Sequence, residues 1–380
     1  MDMNEARNQI DKIDDVIREA FSKRMELCAS IAEYKKENNL PVAYPGRERE
    51  IVARLTKDMD SRMATYTKVL YTTLFEVSRS YQTARLGAGG SLAAKIRDAA
   101  EKTPKMLPTA CTVACQGTEG AYSQVAAEKL FSIPSIMYMG TFEGVFNAVA
   151  SGFCRYGILP ISNNLHGSVT EVYDLMKRHK FYIVKSIKLR IDHTFSAKKG
   201  VKLTDIREVF SHPQAIGQCQ EFLKSLGKDV KITECANTAT AAKMLAESKR
   251  TDAAAICNEN CAATYGLTRL ADGIADSDNN YTRFICISKE LEIYPGSNKI
   301  SIMFTLPHTP GSLFTILSKF ATLGVNFSKI ESRPIPGKDF EYMFYLDFDS
   351  SLYSDGLVET LDLFDAEYEG GSFLGCYSEV

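Results

Sequence analysis

The sequence predicts a multidomain chain in which three fold classes follow one another: an all-α segment, an α/β segment and a closing α+β unit. Three observations carry this. At 380 residues and 42.2 kDa the chain exceeds one ordinary domain and has room for two or three of about 150 residues. Apolar residues recur at three- and four-residue steps over the first 86 positions, then give way to short apolar runs separated by helical stretches. The flexible joint Gly87-Ala-Gly-Gly-Ser91 stands where the pattern changes.

Residues 5–38 read as one helix, with Ile10, Ile13, Ile17, Ala20, Leu27 and Ile31 along a single seam. Pro41 and Pro45-Gly46 break it, and helices over 49–57 and 61–86 follow. The first helix would be roughly 50 Å long at about 1.5 Å per residue, too long for the two shorter ones to cover. Its seam therefore predicts a helical dimer. The segment up to Pro108 reads as linker with one exposed helix. Strands over 112–115, 135–139, 156–161, 209–211, 253–257 and 283–287 alternate with helices and predict an α/β region. Within it, Thr141–Ser151 and Thr238–Ser248 echo each other, a threonine N-cap opening a helix that leads to a buried strand. Two similar lobes or two ordinary βα units would both explain this. From Lys299 the order is strand, helix, strand, strand, helix, strand, a ferredoxin-like α+β unit.

With 45% hydrophobic and 24% charged residues the chain can build a sizeable core. A net charge of -2 excludes a polyelectrolyte partner such as nucleic acid. From Asp339 to Val380 there are 11 acidic residues and no Lys or Arg, which the α+β unit accounts for without a basic ligand. Ten sparse cysteines and a charged start predict free thiols in a reduced cytoplasm. The pairs Cys111/Cys115 and Cys257/Cys261 lack zinc spacing, and no metal or cofactor is expected. No apolar run approaches the roughly 18 residues of a membrane helix.

Arg24 occupies a slot in the helical seam where an aliphatic residue belongs, and a buried lone charge there needs an anion. Lys35, about three turns on, projects from nearly the same face. Ser78 and Gln82 form an i,i+4 polar pair on the third helix, and Arg47 and Glu48 open the second. Together they describe a cationic pocket suited to a small dicarboxylate, although Arg47 and Glu48 read equally well as a solvated face. These residues resemble those of the all-helical chorismate mutases, over about residues 4 to 86. The resemblance makes Arg24, Lys35 and Arg47 substrate-binding cations, Glu48 the acid beside the enol-pyruvyl ether, Ser78 and Gln82 the polar pair, and Arg7 a residue reaching into the partner's site. Tyr44 stands where some relatives carry an Asp. The rearrangement is pericyclic and needs no nucleophile; donors such as Lys35 and Gln82 at the ether oxygen suffice.

In the α/β region, polar clusters end strands: Gln116–Ser123, Pro160–Ser168, Ser211–Ala215 and Tyr281–Phe284. Helix N-termini there suit carboxylates, and the glycine spacing is not that of a dinucleotide fold. The segments closely resemble prephenate dehydratase, a fold of two periplasmic-binding-protein-like lobes, with Thr282-Arg283-Phe284 as the family's catalytic tripeptide. The resemblance assigns Thr282 to the leaving hydroxyl and Arg283 to site organisation or a carboxylate, with Ser123, Asn163, Ser168 and Gln214 lining the cleft. His212, beside Pro213 at a strand end, reads as structural. Ser162 replaces a family Glu, and Asn164 stands where Ser or Thr is usual.

Gly311-Ser312-Leu313, after Thr309 and Pro310, and Glu331-Ser332-Arg333-Pro334 resemble the elements of the family's ACT regulatory domain that bind phenylalanine; Leu374–Tyr377 also fits. The order, a mutase over 1–88, a linker over 89–109, a dehydratase over 110–290 and an ACT domain over 297–380, resembles the bifunctional chorismate mutase/prephenate dehydratases. That implies a cytoplasmic, cofactor-free homo-oligomer, dimer or tetramer, taking chorismate and prephenate and inhibited by L-phenylalanine. An arogenate-preferring dehydratase and a non-enzymatic ligand sensor are the rival readings.

Overall fold

The computed structural model describes residues 2–86, 90–227, 229–306, 308, 311–335, 341–368 and 371–380. The chain divides into two compact units: Met1–Asp98 with Ile302–Phe373, and Ala99–Ser301 with Leu374–Val380.

The first unit opens with α1 (Met3–Glu37), α2 (Pro45–Thr56) and α3 (Ser61–Arg85). α1 ends in a Schellman turn: Asn39 takes the left-handed conformation at φ 52, and the Leu40 N–H returns to the Lys35 carbonyl at 2.9 Å. α2 begins on Pro45, whose missing N–H costs nothing at a helix start. α1 packs on α3 through a stripe containing Cys28 and Ala32, with Phe75, Ser78 and Gln82 buried opposite. The seam Ile10, Ile13, Ile17, Leu27 and Ile31 is instead a neighbouring, exposed face. This corrects the placement of Arg24, which is half-buried on the border between seam and stripe and turns toward α3.

α4 (Ser91–Lys102) is not the exposed linker helix expected. Leu92, Ala93, Ile96 and Ala99 recur on one face and are buried. Asp362 satisfies its first turn, accepting from the Ala93 N–H at 2.9 Å and from the Gly90 N–H.

The second unit has two lobes. The first contains β1 (Ala110–Gln116), α5 (Tyr122–Leu130), β2 (Ile133–Met139), α6 (Phe142–Ala150), β3 (Tyr156–Asn163), β4 (Gly167–Ser168), α7 (Thr170–His179) and β5 (Tyr182–Arg190). The second contains β6 (Thr194–Ala197), β7 (Glu208–Ser211), α8 (Pro213–Gly217), α9 (Gln220–Ser225), β8 (Lys231–Glu234), α10 (Thr238–Glu247), β9 (Ala253–Cys257), α11 (Glu259–Thr264) and β10 (Thr268–Ala271). The chain then returns as β11 (Tyr281–Ser288), giving sheet orders β2-β1-β3-β11-β5, with β4 on β3, and β10-β6-β9-β7-β8. The echoed helices α6 and α10 feed β3 and β9, one in each lobe. Thr141 caps α6 as expected, but α10 is capped by Asn237, which accepts from the Thr240 N–H at 2.7 Å.

The last segment runs β12 (Lys299–Leu306), α12 (Ser312–Ala321), β13 (Asn326–Pro334), β14 (Tyr342–Asp349), α13 (Leu357–Glu367) and β15 (Ser372–Tyr377), with sheet order β13-β14-β12-β15. β15 continues into Ser378–Val380, which hydrogen-bonds along β5: Ser186 N–H to Ser378 at 3.1 Å and Lys188 N–H to Val380 at 3.0 Å. Gly375 permits this approach. At φ 144 it sits where a Cβ would come 2.2 Å from the Ile183 carbonyl oxygen. Gly375→Ala is expected to cost roughly 2 kcal/mol or more, read as a fall in the thermal midpoint.

Candidate active sites

In the helical region the sequence-predicted cations separate into two kinds. Arg24 donates to the Ser78 hydroxyl and, at 3.4 Å, to the Leu74 carbonyl, so the partners of this half-buried cation are neutral rather than the anion expected. Lys35 donates to Gln82 Oε1 at 3.0 Å and to the Val42 carbonyl at 2.5 Å. Burial pushes Lys35 below its ordinary pKa, while Cys28 and Glu48 oppose the shift. An ammonium only donates, so Gln82 Oε1 is occupied as an acceptor and its NH2 is the end left to donate. Lys35 and Gln82 thus form a double donor, and Tyr44 lies beside it with its ring centroid 5.4 Å from Lys35 Nζ.

Glu48 is ion-paired to Arg79, which also pairs with Glu76. Arg79 was not singled out because an arginine on a helix face has no distinguishing local signal. Arg47 is a correction: it is exposed and paired with Glu50 at 2.9 Å, outside the polar constellation. Arg7 is exposed near the start of α1, about 26 Å along the helix from Arg24 at about 1.5 Å per residue. One protomer therefore does not bring Arg7 to the other cations.

Between the lobes of the second unit lies a cavity of about 430 Å³. Its lining includes Gln116, Tyr122, Asn163, His193, His212, Gln214, Gln218, Asn237, Thr238, Thr282 and Phe284, with no Lys, Arg, Asp or Glu among the described lining residues. Thr282 and Phe284 reach it because they are two apart on β11 and share a face.

Arg283, between them, points to the other face. This corrects its reading as a possible carboxylate ligand: its Nε lies 2.8 Å from Glu379 Oε2, and its Nη2 donates to the Tyr377 hydroxyl at 2.6 Å. Ser123 is a second correction. It is buried and donates to the Gln116 carbonyl at 2.5 Å, tying β1 to α5 rather than lining the cavity. Ser168 is a third, paired with Ser162 in the β3–β4 ladder and outside the lining. His212 Nδ1 accepts from the Gln214 N–H at 3.3 Å, the structural role expected of it.

The hydrogen-bond polarity of the cavity is set from one end. Asn163 Oδ1 accepts from the Leu165 and His166 N–H groups at 2.9 and 3.0 Å. Backbone N–H groups cannot accept, so the amide orientation is forced and Nδ2 is the donor. It reaches Asn280 Oδ1 at 2.8 Å, the Tyr281 carbonyl at 3.1 Å and Thr282 Oγ1 at 3.0 Å. Asn280 then donates to Gln218 Oε1 at 3.0 Å, leaving His193 Nε2, 2.7 Å from the same oxygen, to donate as well. Burial lowers the pKa of His193, against Gln218 and Asp192, so the ring is neutral at pH 7. Since Thr282 Oγ1 accepts from Asn163, its hydroxyl proton is available to a ligand. Gln218, Asn280 and His193 were missed because each lies in a different strand-end loop with no motif of its own.

Of the expected effector-site residues, Gly311 precedes α12 with φ 91, and Ser312 and Leu313 form its first turn. Glu331, Ser332 and Arg333 lie on the edge strand β13, with Glu331 3.0 Å from Lys329. Thr309 and Pro310 fall outside the described residues.

Two family models match the chain: chorismate mutase type II over residues 6–83 and prephenate dehydratase over 113–292. The helical region and the two-lobed region are thus those of two enzyme families joined in one chain. A bifunctional chorismate mutase/prephenate dehydratase from Aquifex aeolicus (strain VF5) is 30% identical over 384 residues, spanning 100% of this chain and 98% of the relative. The chain belongs to the bifunctional chorismate mutase/prephenate dehydratase family. It is also 40% identical over 252 residues to arogenate dehydratase/prephenate dehydratase 2, chloroplastic, of Arabidopsis thaliana, a match covering 63% of this chain and 65% of that relative. The crystal structure of prephenate dehydratase in complex with L-Phe from Arthrobacter aurescens is similar at TM-score 0.64 and 28% identity, over 70% of this chain and 89% of that one.

Proposed function

We propose that the protein rearranges chorismate to prephenate in its helical region and converts prephenate to phenylpyruvate in the cleft of its second unit. The observation that carries the second step is the forced polarity at Asn163, which leaves the Thr282 hydroxyl as a donor. Prephenate loses a ring hydroxyl and a carboxylate together, and aromatisation drives the reaction. Thr282 assists the leaving hydroxyl. The amides of Gln116, Gln214 and Asn237 and the N-terminus of α10 seat the carboxylates, which suits a lining without acids.

In the first step Lys35 and Gln82 stabilise charge developing on the ether oxygen, with Arg24 on a carboxylate. The site is completed by a second copy: α1 leaves Ile10, Ile13, Ile17 and Leu27 more than half exposed, and Arg7 reaches the partner's site across that face. The closing unit is a ferredoxin-like ACT domain that binds L-phenylalanine at Gly311–Leu313 and Glu331–Arg333, and the protein acts in the cytoplasm.

A single experiment addresses these readings. Purified protein given chorismate should form prephenate and then phenylpyruvate, slow on addition of phenylalanine, and sediment as a dimer or larger. Arogenate dehydration is the alternative, motivated by the plant relative; its ammonium would lack a carboxylate among the described lining residues, and faster turnover of arogenate than of prephenate would establish it.

A further inference from the structure

The ion pair between Arg283 and Glu379 joins two segments of different parentage. Arg283 neighbours Thr282 on β11, and Glu379 lies two residues beyond β15, the last strand in the chain of the four-stranded sheet. Both side chains are nearly buried, at 11% and 17% exposure. Glu379 also meets Lys188 at 2.8 Å and the Ser186 hydroxyl at 3.2 Å, while Tyr377, fully buried, holds Arg283 Nη2 at 2.6 Å and Ser301 at 2.6 Å. Removing the carboxylate of such a pair takes away the counter-charge at Arg283 Nε, so the arginine would shift toward its other contacts.

The geometry of β11 converts that movement into chemistry. Successive side chains alternate faces but share one backbone, so a shift at Arg283 displaces the Thr282 hydroxyl on the cavity side. Thr282 Oγ1 accepts from Asn163 Nδ2 at 3.0 Å, and a misplacement of a fraction of an ångström there matters to a reacting bond. Ser162 lies opposite Arg283 in the β3–β11 ladder, on the same face, and offers no charge. It is the position where the sequence departs from the family's Pro-Ile-Glu-Asn. The carboxylate that meets Arg283 Nε arrives from the chain beyond β15.

We propose that Glu379 is a positioning residue of the dehydratase site: it holds Arg283, and thereby Thr282, in register, and transmits to them the state of the effector-binding unit through β15. The inference rests on the dehydratase and phenylalanine readings above.

Glu379→Gln in the full chain, compared with the parent for both reactions, tests it. Dehydratase kcat should fall on the order of tenfold with KM for prephenate nearly unchanged, and phenylalanine should no longer alter what remains. Mutase turnover and circular dichroism should match the parent. Adding Ser162→Glu supplies a carboxylate from β3 instead of from β15, so the double variant should regain kcat but stay insensitive to phenylalanine. Parent kcat in Glu379→Gln, or an effector response retained in it, overturns the proposal. So does a double variant that regains neither property or both. A parent protein without dehydratase activity or phenylalanine response refutes the underlying reading instead.

Discussion

Thr282→Ala is expected to lower dehydratase turnover with prephenate on the order of a hundredfold or more, while mutase turnover in the same preparation stays at the parent value. The size follows from what is lost. Asn163 donates to Thr282 Oγ1, so the hydroxyl proton is the threonine's contribution to the cavity, and alanine removes the one hydroxyl that β11 gives to the described lining. The fold should tolerate the change. Asn163 keeps Asn280 Oδ1 at 2.8 Å and the Tyr281 carbonyl at 3.1 Å as acceptors, so no buried donor is stranded. KM should change little, because the contact strengthens as the bond breaks rather than on binding. Thr282→Ser, which restores a hydroxyl in the same place, should recover most of the rate. Phenylpyruvate formation at the parent rate in Thr282→Ala would remove this residue from the mechanism.

Lys35→Ala is expected to remove about 3 kcal/mol of transition-state stabilisation, a loss on the order of 10²- to 10³-fold in mutase kcat/KM. Two effects add. The ammonium itself is lost, and Gln82 Oε1 loses the donor that fixes its amide, so the second donor is free to turn away. Dehydratase turnover on supplied prephenate should be unaffected, which separates this result from a general loss of fold. Following prephenate formation from chorismate checks it, and near-normal activity would displace the site from Lys35 and Gln82.

Much of the architecture was legible in local pattern. The 3.6-residue rhythm marked α1 and α3, the Pro45 and Gly87 interruptions marked their ends, and the short apolar run over 283–287 marked the middle of β11. What failed were inferences about which face meets which neighbour. Arg24 and the isoleucine seam form one stripe in sequence because only about 20 to 40° of helical rotation separates them; packing against α3 divides them. Arg47 looked like a pocket residue because of its place beside Glu48, yet the two turn to different partners, Glu50 and Arg79. Ser123 and Ser168 looked like cleft hydroxyls for the same reason, yet the Ser123 hydroxyl is taken by the Gln116 carbonyl and Ser168 pairs with Ser162 in the β3–β4 ladder, outside the described lining.

The acidic end of the chain shows the limit most clearly. Its composition alone indicated only that no basic residue lies after Lys338 and that no basic ligand is needed. In the folded chain its members have separate tasks: Asp362 caps α4, Glu359 pairs with Arg97, and Glu379 pairs with Arg283 on β11. The sequence by itself determined the classes of the elements, their order, and the motif that carries Thr282, because these depend on residues within a turn or a strand of one another. The tertiary structure alone decided the chain of amides from Asn163 through Asn280 and Gln218 to His193, and the partner of Arg283. Those contacts join positions 25 to 117 residues apart, and a hydrogen bond's direction or an ion pair's partner exists only once packing has brought both groups out of water.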